Sequence, residues 1–169
     1  MFLAQNNNFY INQDALSKLN APVKIAIVRS RFNQKITQLS FDACNTQLLN
    51  YGLTSDQITE IAVPGALEIG YALKTFALKK PSFDALIAIG CIIRGETYHF
   101  DLVANESASS ITRISLDHHI PIINAILTVE SKEQAWERAK IKGSEAAHGA
   151  IEMALFKRLN LNQDQTATL

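Results

Sequence analysis

The chain has 169 residues, 47% of them hydrophobic, with 16 basic and 16 acidic side chains that cancel to a formal net charge of zero. This length and composition suit one globular domain able to bury about 70% of its unfolded surface without staples. The balanced charge excludes the basic footprint of a nucleic-acid binder, and no apolar run is long enough to span a bilayer.

The opening MFLAQNNNFYINQD lacks the charged and long apolar regions of a signal peptide. In chain order, Val23 to Val28 reads as a short strand. Residues 34–51 run without Gly or Pro, after Asn33 as an N-cap and before Gly52 as a stop, and so predict a helix. Ile58 to Val63 is a second strand. Residues 66–80 form a helix entered through Pro64-Gly65 and halted by Pro81. Asp84 to Ile93 is the third strand, apolar on consecutive residues as expected when both faces are buried. A helix over roughly 100–117 follows, then a fourth strand, Pro121 to Val129.

Two further helical pieces, Lys132 to Lys140 and Ser144 to Leu159, are expected to part at Gly143. Ala147, Ile151, Ala154 and Leu155 place a core stripe on the last piece. The domain core spans about 23–159, between a polar arm and the tail Asn160 to Leu169, both read as loosely ordered. Alternating strands and helices predict βαβ units, with a parallel sheet covered on both faces.

In such a sheet ligands bind beyond the carboxyl ends of the strands, where four loops are dense in polar or aromatic groups. They are Arg29-Ser-Arg-Phe-Asn33, Pro64-Gly-Ala-Leu-Glu68, Arg94 to Asp101 and Thr128-Val-Glu-Ser131. The opposite edge, residues 79–82 and 118–121, reads as ordinary surface connection. Gly95, Glu96 and Thr97 lie between a strand and a helix, where free N–H groups suit an anion. No G-x-x-x-x-G-K-[ST] or G-x-G-x-x-G is present, which argues against a nucleotide triphosphate or a dinucleotide.

His99 can move a proton near neutrality or serve as a hydrogen-bonded framework residue. Phe32 either stacks on a planar heterocycle or plugs the helix below it. Glu68 either complements the positive end of its helix or accepts hydrogen bonds from a ligand ring. Arg94 is assigned to holding its loop rather than to a ligand. His118, His119 and His148 read as structural or solvated. Cys44 and Cys91 give neither a metal-ligand spacing nor a disulfide framework, and read as two buried thiols in a reducing compartment. No metal and no cofactor is expected, and the location expected is cytoplasmic.

Together these loops resemble the lumazine synthases, the penultimate enzymes of riboflavin biosynthesis. The matching stretches are Arg31-Phe-Asn33, Val63-Pro-Gly-Ala-Leu-Glu68, Gly90 to Asp101 (GCIIRGETYHFD), Asn124 to Glu130 (NAILTVE) and Lys142 to Ala147 (KGSEAA). The resemblance implies a flavodoxin-like three-layer α/β/α sandwich with a four-stranded parallel sheet. It implies condensation of 5-amino-6-(D-ribitylamino)uracil with 3,4-dihydroxy-2-butanone 4-phosphate. The products are 6,7-dimethyl-8-ribityllumazine, phosphate and water.

Carried over residue by residue, the resemblance puts Phe32 and Asn33, Ala66, Leu67 and Glu68, and Cys91, Ile92 and Ile93 around the pyrimidine and ribityl chain. Asn124 and Lys142 join them, Asn124 standing where many members carry Phe. Gly95, Glu96, Thr97 and Arg138 would hold the phosphate, and His99 would be the acid-base residue. The connection from Arg138 to Lys142 is shorter than in members with a glycine-rich segment there.

The resemblance further implies a homopentamer sharing its pockets between neighbours, with riboflavin synthase as a candidate partner. Pentamer, decamer and sixty-subunit shell stay open, and the turn Ala139 to Gly143, which lacks the glycine-rich form of shell-formers, favours the smaller two. Ala146, Ala147, Ala150, Ile151 and Met153 exceed what one thin sheet needs and read as subunit contacts, the alternative being that they all pack within the chain. Two rival readings remain at this point: a non-catalytic flavin or lumazine carrier, and an unrelated sugar-phosphate enzyme using His99.

Overall fold

Four parallel strands form one sheet in the computed structural model, which describes residues 22–80 and 82–161. The elements are β1 (Ile25–Ser30), α1 (Gln34–Asn50), β2 (Ile58–Val63), α2 (Ala66–Ala77), β3 (Ala85–Ile93), α3 (His99–Asp117), β4 (Ile122–Val129) and α4 (Lys132–Leu161). A short 3-10 turn, Ser55–Gln57, precedes β2. The sheet order is β2-β1-β3-β4, the doubly wound arrangement in which the strand order reverses beside β1. The arm and tail expected to be loose lie largely outside the described residues.

Alternation along the central strands builds the layers. Ile25, Ile27, Ile87 and Ile89 point to one side, against Cys44 and Leu48 of α1 and Ala147, Ile151, Ala154 and Leu155 of α4. Ala26, Val28, Leu86 and Ala88 point to the other, against Ile69 and Leu73 of α2 and Ile111 and Ile114 of α3. Each fully buried isoleucine contributes roughly 2 kcal/mol of transfer free energy. The stripe expected on the last helix is therefore core. Of the five residues expected to face other subunits, Ala146, Ala147, Ala150 and Ile151 are buried inside this chain. Met153 alone is exposed.

Element ends move by one to three residues. β1 runs to Ser30 because Arg29 and Ser30 still pair with Ala62 and Val63. Helix α2 closes at Ala77, three residues short of the expectation, with the Lys79 N–H donating to the Phe76 carbonyl. Gly52 ends α1 as expected: at φ 88° its N–H reaches the Leu49 carbonyl, and that of Leu53 reaches Leu48.

The expected break at Gly143 is absent, and α4 is one helix of 30 residues. A glycine inside a helix ordinarily costs about 1 kcal/mol relative to alanine, so its presence here needs a packing reason. A Cβ at Gly143 would lie 2.0 Å from the Ser40 carbonyl oxygen of α1. The residue lets two helices touch rather than ending one. Arg138 and Lys142 thereby stand one turn apart on a single helix, with no connecting segment between them.

Beside residues 79–82 and 118–121, the amino ends of the strands carry an anchor. Arg158 near the end of α4 grips Asp84 with two hydrogen bonds of 2.6 Å, and its Nη2 also reaches the Pro22 carbonyl. Asp84 in turn accepts the Lys24 N–H at 2.7 Å. This ties the helix to the starts of the two central strands.

Gly143→Ala should lose roughly 3 kcal/mol of stability, because backbone must give way, outweighing the alanine's helix preference of about 1 kcal/mol. Urea unfolding of the variant measures the loss. An unchanged or higher midpoint would show that the α1–α4 contact has slack.

Candidate active site

The carboxyl ends of β1 and β3, together with the start of α2, open onto a cavity of about 450 Å³, within the range of small-molecule sites. The first loop supplies Phe32. The Arg31 N–H donates to the Val63 carbonyl at 2.7 Å, and that of Phe32 to Pro64 at 3.1 Å, so the loop is stitched to the end of β2. Phe32 itself is 68% exposed and lines the cavity. That placement favours a stacking platform over a plug.

Asn33 holds the position before α1 but does not cap it with its side chain. Its backbone is left-handed (φ 56°), and its Nδ2 donates to the Cys91 carbonyl at 3.0 Å. It fixes the first loop to β3 from behind the cavity wall. The second loop and the first turn of α2 bring Ala66, Leu67 and Glu68. The Glu68 carboxylate folds back over Gly65, where an added Cβ would meet its Oε2 at 2.9 Å. There it complements the helix start and remains free to accept from a ligand.

The third segment supplies Cys91, Ile92, Ile93, Gly95, Thr97 and His99. His99 is the first residue of α3, is exposed, and has no hydrogen-bond partner among the described residues. It is therefore no framework residue. Asp101, two residues on, accepts from Arg94 at 3.3 Å and does not orient the imidazole. Arg94 also donates Nε to Glu130 at 2.6 Å and lies 4.0 Å over the Phe100 ring. Arg94 holds the loop, as its place in the sequence suggested.

Five expected site residues do not line this cavity. Asn33 supports it from behind, and Glu96 is exposed on the loop outside it. Asn124 lies on the edge strand, its Oδ1 accepting the Ile126 N–H. Arg138 is exposed on α4, and Lys142 pairs with Glu145 at 3.6 Å. Three lining residues were not foreseen: Gly65, Phe100 and Val103. The spacing of Phe100 and Val103 along α3 could have placed both on one inward face.

Burial pushes the Cys91 thiol up to about 11, against a smaller lowering by its Asn33 contact, and the Cys44 thiol to about 12. Neither is a thiolate at neutral pH, so Cys91 forms wall, not nucleophile. His148 packs edge-on against Tyr51 at 5.4 Å, far from the loops in its contacts, and burial lowers its pKa. No three His, Cys, Asp or Glu side chains among the described residues could hold a metal. No described helix is long and apolar enough to cross a membrane.

A doubly wound parallel sheet with an aromatic platform, an anion-suited loop and an unpartnered imidazole at its switch point defines a small-molecule α/β enzyme. The 6,7-dimethyl-8-ribityllumazine synthase family profile matches residues 22–158. The protein of that name from Leptothrix cholodnii is 54% identical over 132 residues, covering 78% of this chain and 85% of that one. Its counterpart from Methylibium petroleiphilum is 54% identical over 131 residues, 78% and 81% of the two chains. The chain belongs to the lumazine synthase family.

Both thiols should resist alkylation by iodoacetamide at pH 7, where a group with a pKa of about 11 is ionised in only about one molecule in 10⁴. Reactivity should rise with pH and become complete in guanidinium. Rapid labelling of Cys91 in the native protein at pH 7 would contradict its buried, protonated state.

Proposed function

We propose that the protein condenses 5-amino-6-(D-ribitylamino)uracil with 3,4-dihydroxy-2-butanone 4-phosphate. It yields 6,7-dimethyl-8-ribityllumazine, phosphate and water, the penultimate step of riboflavin biosynthesis. The observation that carries this reading is the convergence of Phe32, Glu68, Thr97 and His99 on one cavity in a chain of this family. Phe32 stacks on the pyrimidinedione, while Glu68 and the backbone of Cys91, Ile92 and Ile93 accept from or donate to the ring and ribityl chain. Gly95, Glu96 and Thr97 receive the phosphate through free N–H groups and the Thr97 hydroxyl.

Schiff-base formation, phosphate loss, enolisation and ring closure each move a proton, and His99 is the one imidazole lining the cavity among the described residues. The remaining work is holding two reactive molecules together in the right orientation. A mere carrier has no need of an imidazole beside an anion loop, so the enzyme reading is the stronger. The two buried free thiols suit a cytoplasmic setting, and the product is passed to riboflavin synthase.

The pocket is shared between subunits in this reading. Among the described residues no lysine or arginine lines the cavity, although a dianionic phosphate calls for one. Arg138 is exposed, and Arg138, Lys142 and Asn124 all lie away from their own chain's cavity. They serve the neighbouring pocket, Arg138 at the phosphate and Lys142 near the pyrimidine. The contact surfaces are other than the alanines of α4: the outer face of α2 exposes Leu67 and Tyr71 instead, with Leu78 just past its end. The assembly proposed is a pentamer or decamer.

Mixing the purified protein with both substrates should raise lumazine fluorescence faster than buffer alone, and no acceleration would leave only a carrier. His99→Ala should lower kcat by about 10²–10⁴-fold without abolishing it, since the template survives. An unchanged rate would remove His99 from the mechanism.

The shared site makes a second prediction. Arg138→Ala should weaken the phosphorylated substrate and largely spare the pyrimidine, while light scattering of the unaltered protein gives a pentamer's mass or a multiple of it. A monomer mass would sink the shared pocket.

A further inference from the structure

The loop proposed to receive phosphate makes almost nothing of its own. Among the described residues, Gly95, Glu96 and Thr97 form no hydrogen bond to the rest of the chain, and all three are exposed. A loop so free of internal partners would be a poor anion cradle, because its N–H groups must be aimed before the ligand arrives. Something at its two ends has to set its course.

One side chain reaches both ends. Arg94 stands immediately before the loop, and its N–H extends the β3–β4 ladder to the Val129 carbonyl at 2.9 Å. Its guanidinium crosses to the far end, lying on the Phe100 ring and bonding Asp101 in the first turn of α3. Its third contact is Glu130 at 2.6 Å. Glu130 is itself held just before α4, its N–H donating to Gln134 Oε1 at 3.0 Å, while Ser131 Oγ accepts the Gln134 N–H. Residues 95–98 thus form an arch whose two feet are joined by Arg94. His99 projects from between the arch and the two residues the guanidinium grips.

We propose that Arg94 is a positioning residue for the phosphate loop and for His99, acting through Asp101, Glu130 and Phe100 without touching the substrate. The planar fork is needed for this, since it bonds two carboxylates while stacking on a ring, which an ammonium cannot do. These ion pairs are too exposed to serve mainly as stabilisers, with the Arg94, Asp101 and Glu130 side chains 41%, 42% and 61% exposed. Their value is geometric. The same helix α4 that Glu130 leads into carries Arg138, so one cluster fixes the loop of this pocket and the start of the helix bearing the other phosphate-binding candidate.

The inference rests on the proposed phosphate site, and its test separates the two. The whole protein, in its native assembly, is compared with Arg94→Ala and Arg94→Lys by calorimetric titration with inorganic phosphate and by KM for each substrate. Arg94→Ala should weaken phosphate binding and raise KM for the phosphorylated substrate on the order of 10-fold or more. KM for the pyrimidine should stay within about 2-fold, and Tm within roughly 3 °C, as for exposed ion pairs. Arg94→Lys, which keeps the charge and threatens folding least, should restore little of the loss.

Unchanged phosphate affinity in Arg94→Ala, or no phosphate binding by the unaltered protein, would overturn the inference. So would full recovery with lysine, which would make Arg94 a mere charge, or an equal rise in both KM values with a lowered Tm. Should the unaltered protein make no lumazine yet bind phosphate in an Arg94-dependent way, the positioning role stands and the proposed reaction falls.

Discussion

Strand β3 is buried over eight of its nine residues, with helices pressed on both faces and paired strands along both edges. A strand so enclosed can leave the sheet only at its carboxyl end, and the residues beyond it must turn at once into exposed chain. The loops after β1, β3 and β4 take their place from this strand, while the loop after β2 is stitched to the first loop. Asn33 bonds the Cys91 carbonyl, Arg94 extends the ladder to Val129, and Ile92 and Ile93 form the cavity floor. Parallel pairing is what makes the convergence possible, since all four strands then end on the same side.

The two ends of the molecule use charge differently. At the amino ends of the strands, Asp84 and Arg158 form a largely buried, bidentate pair further held by backbone groups of Lys24 and Pro22. Such a pair is costly to break from one side, so it fixes where α4 docks. At the carboxyl ends, Arg94, Asp101 and Glu130 sit near water and stabilise little, but they bind three separate elements together. Arg29 is a third case: buried, paired with Glu60, and stacked near Phe41, it leaves its Nη1 without a partner among the described residues. It lies on the side of the sheet away from the cavity, against α1.

Small residues decide how close the layers come. Gly143 admits the Ser40 carbonyl, and the alanines of α4 bring that helix down onto the isoleucines of β1 and β3. This is why the alanine-rich face is buried within the chain. A stripe of alanines signals close approach, and sequence alone does not say whether the approaching surface belongs to the same chain. The same limit applied to Gly143: glycine within a helical run signals either an end or a tight crossing, and only the partner helix distinguishes them.

Taken by itself, the sequence determined the order and type of the elements apart from the undivided last helix, because apolar runs and breakers act locally. It also marked the loops that line the cavity, since Phe32, Glu68, Thr97 and His99 lie where strands end. It named the family through short stretches in a fixed order. Only the tertiary structure decided which of the marked residues meet. Asn33 turned out to brace β3, Phe100 and Val103 joined the cavity, and Asp101 was taken by Arg94 rather than His99. It also set Arg138, Lys142 and Asn124 apart from the cavity of their own chain. Such facts depend on distances between segments far apart in the chain, which packing sets and local residue pattern does not encode.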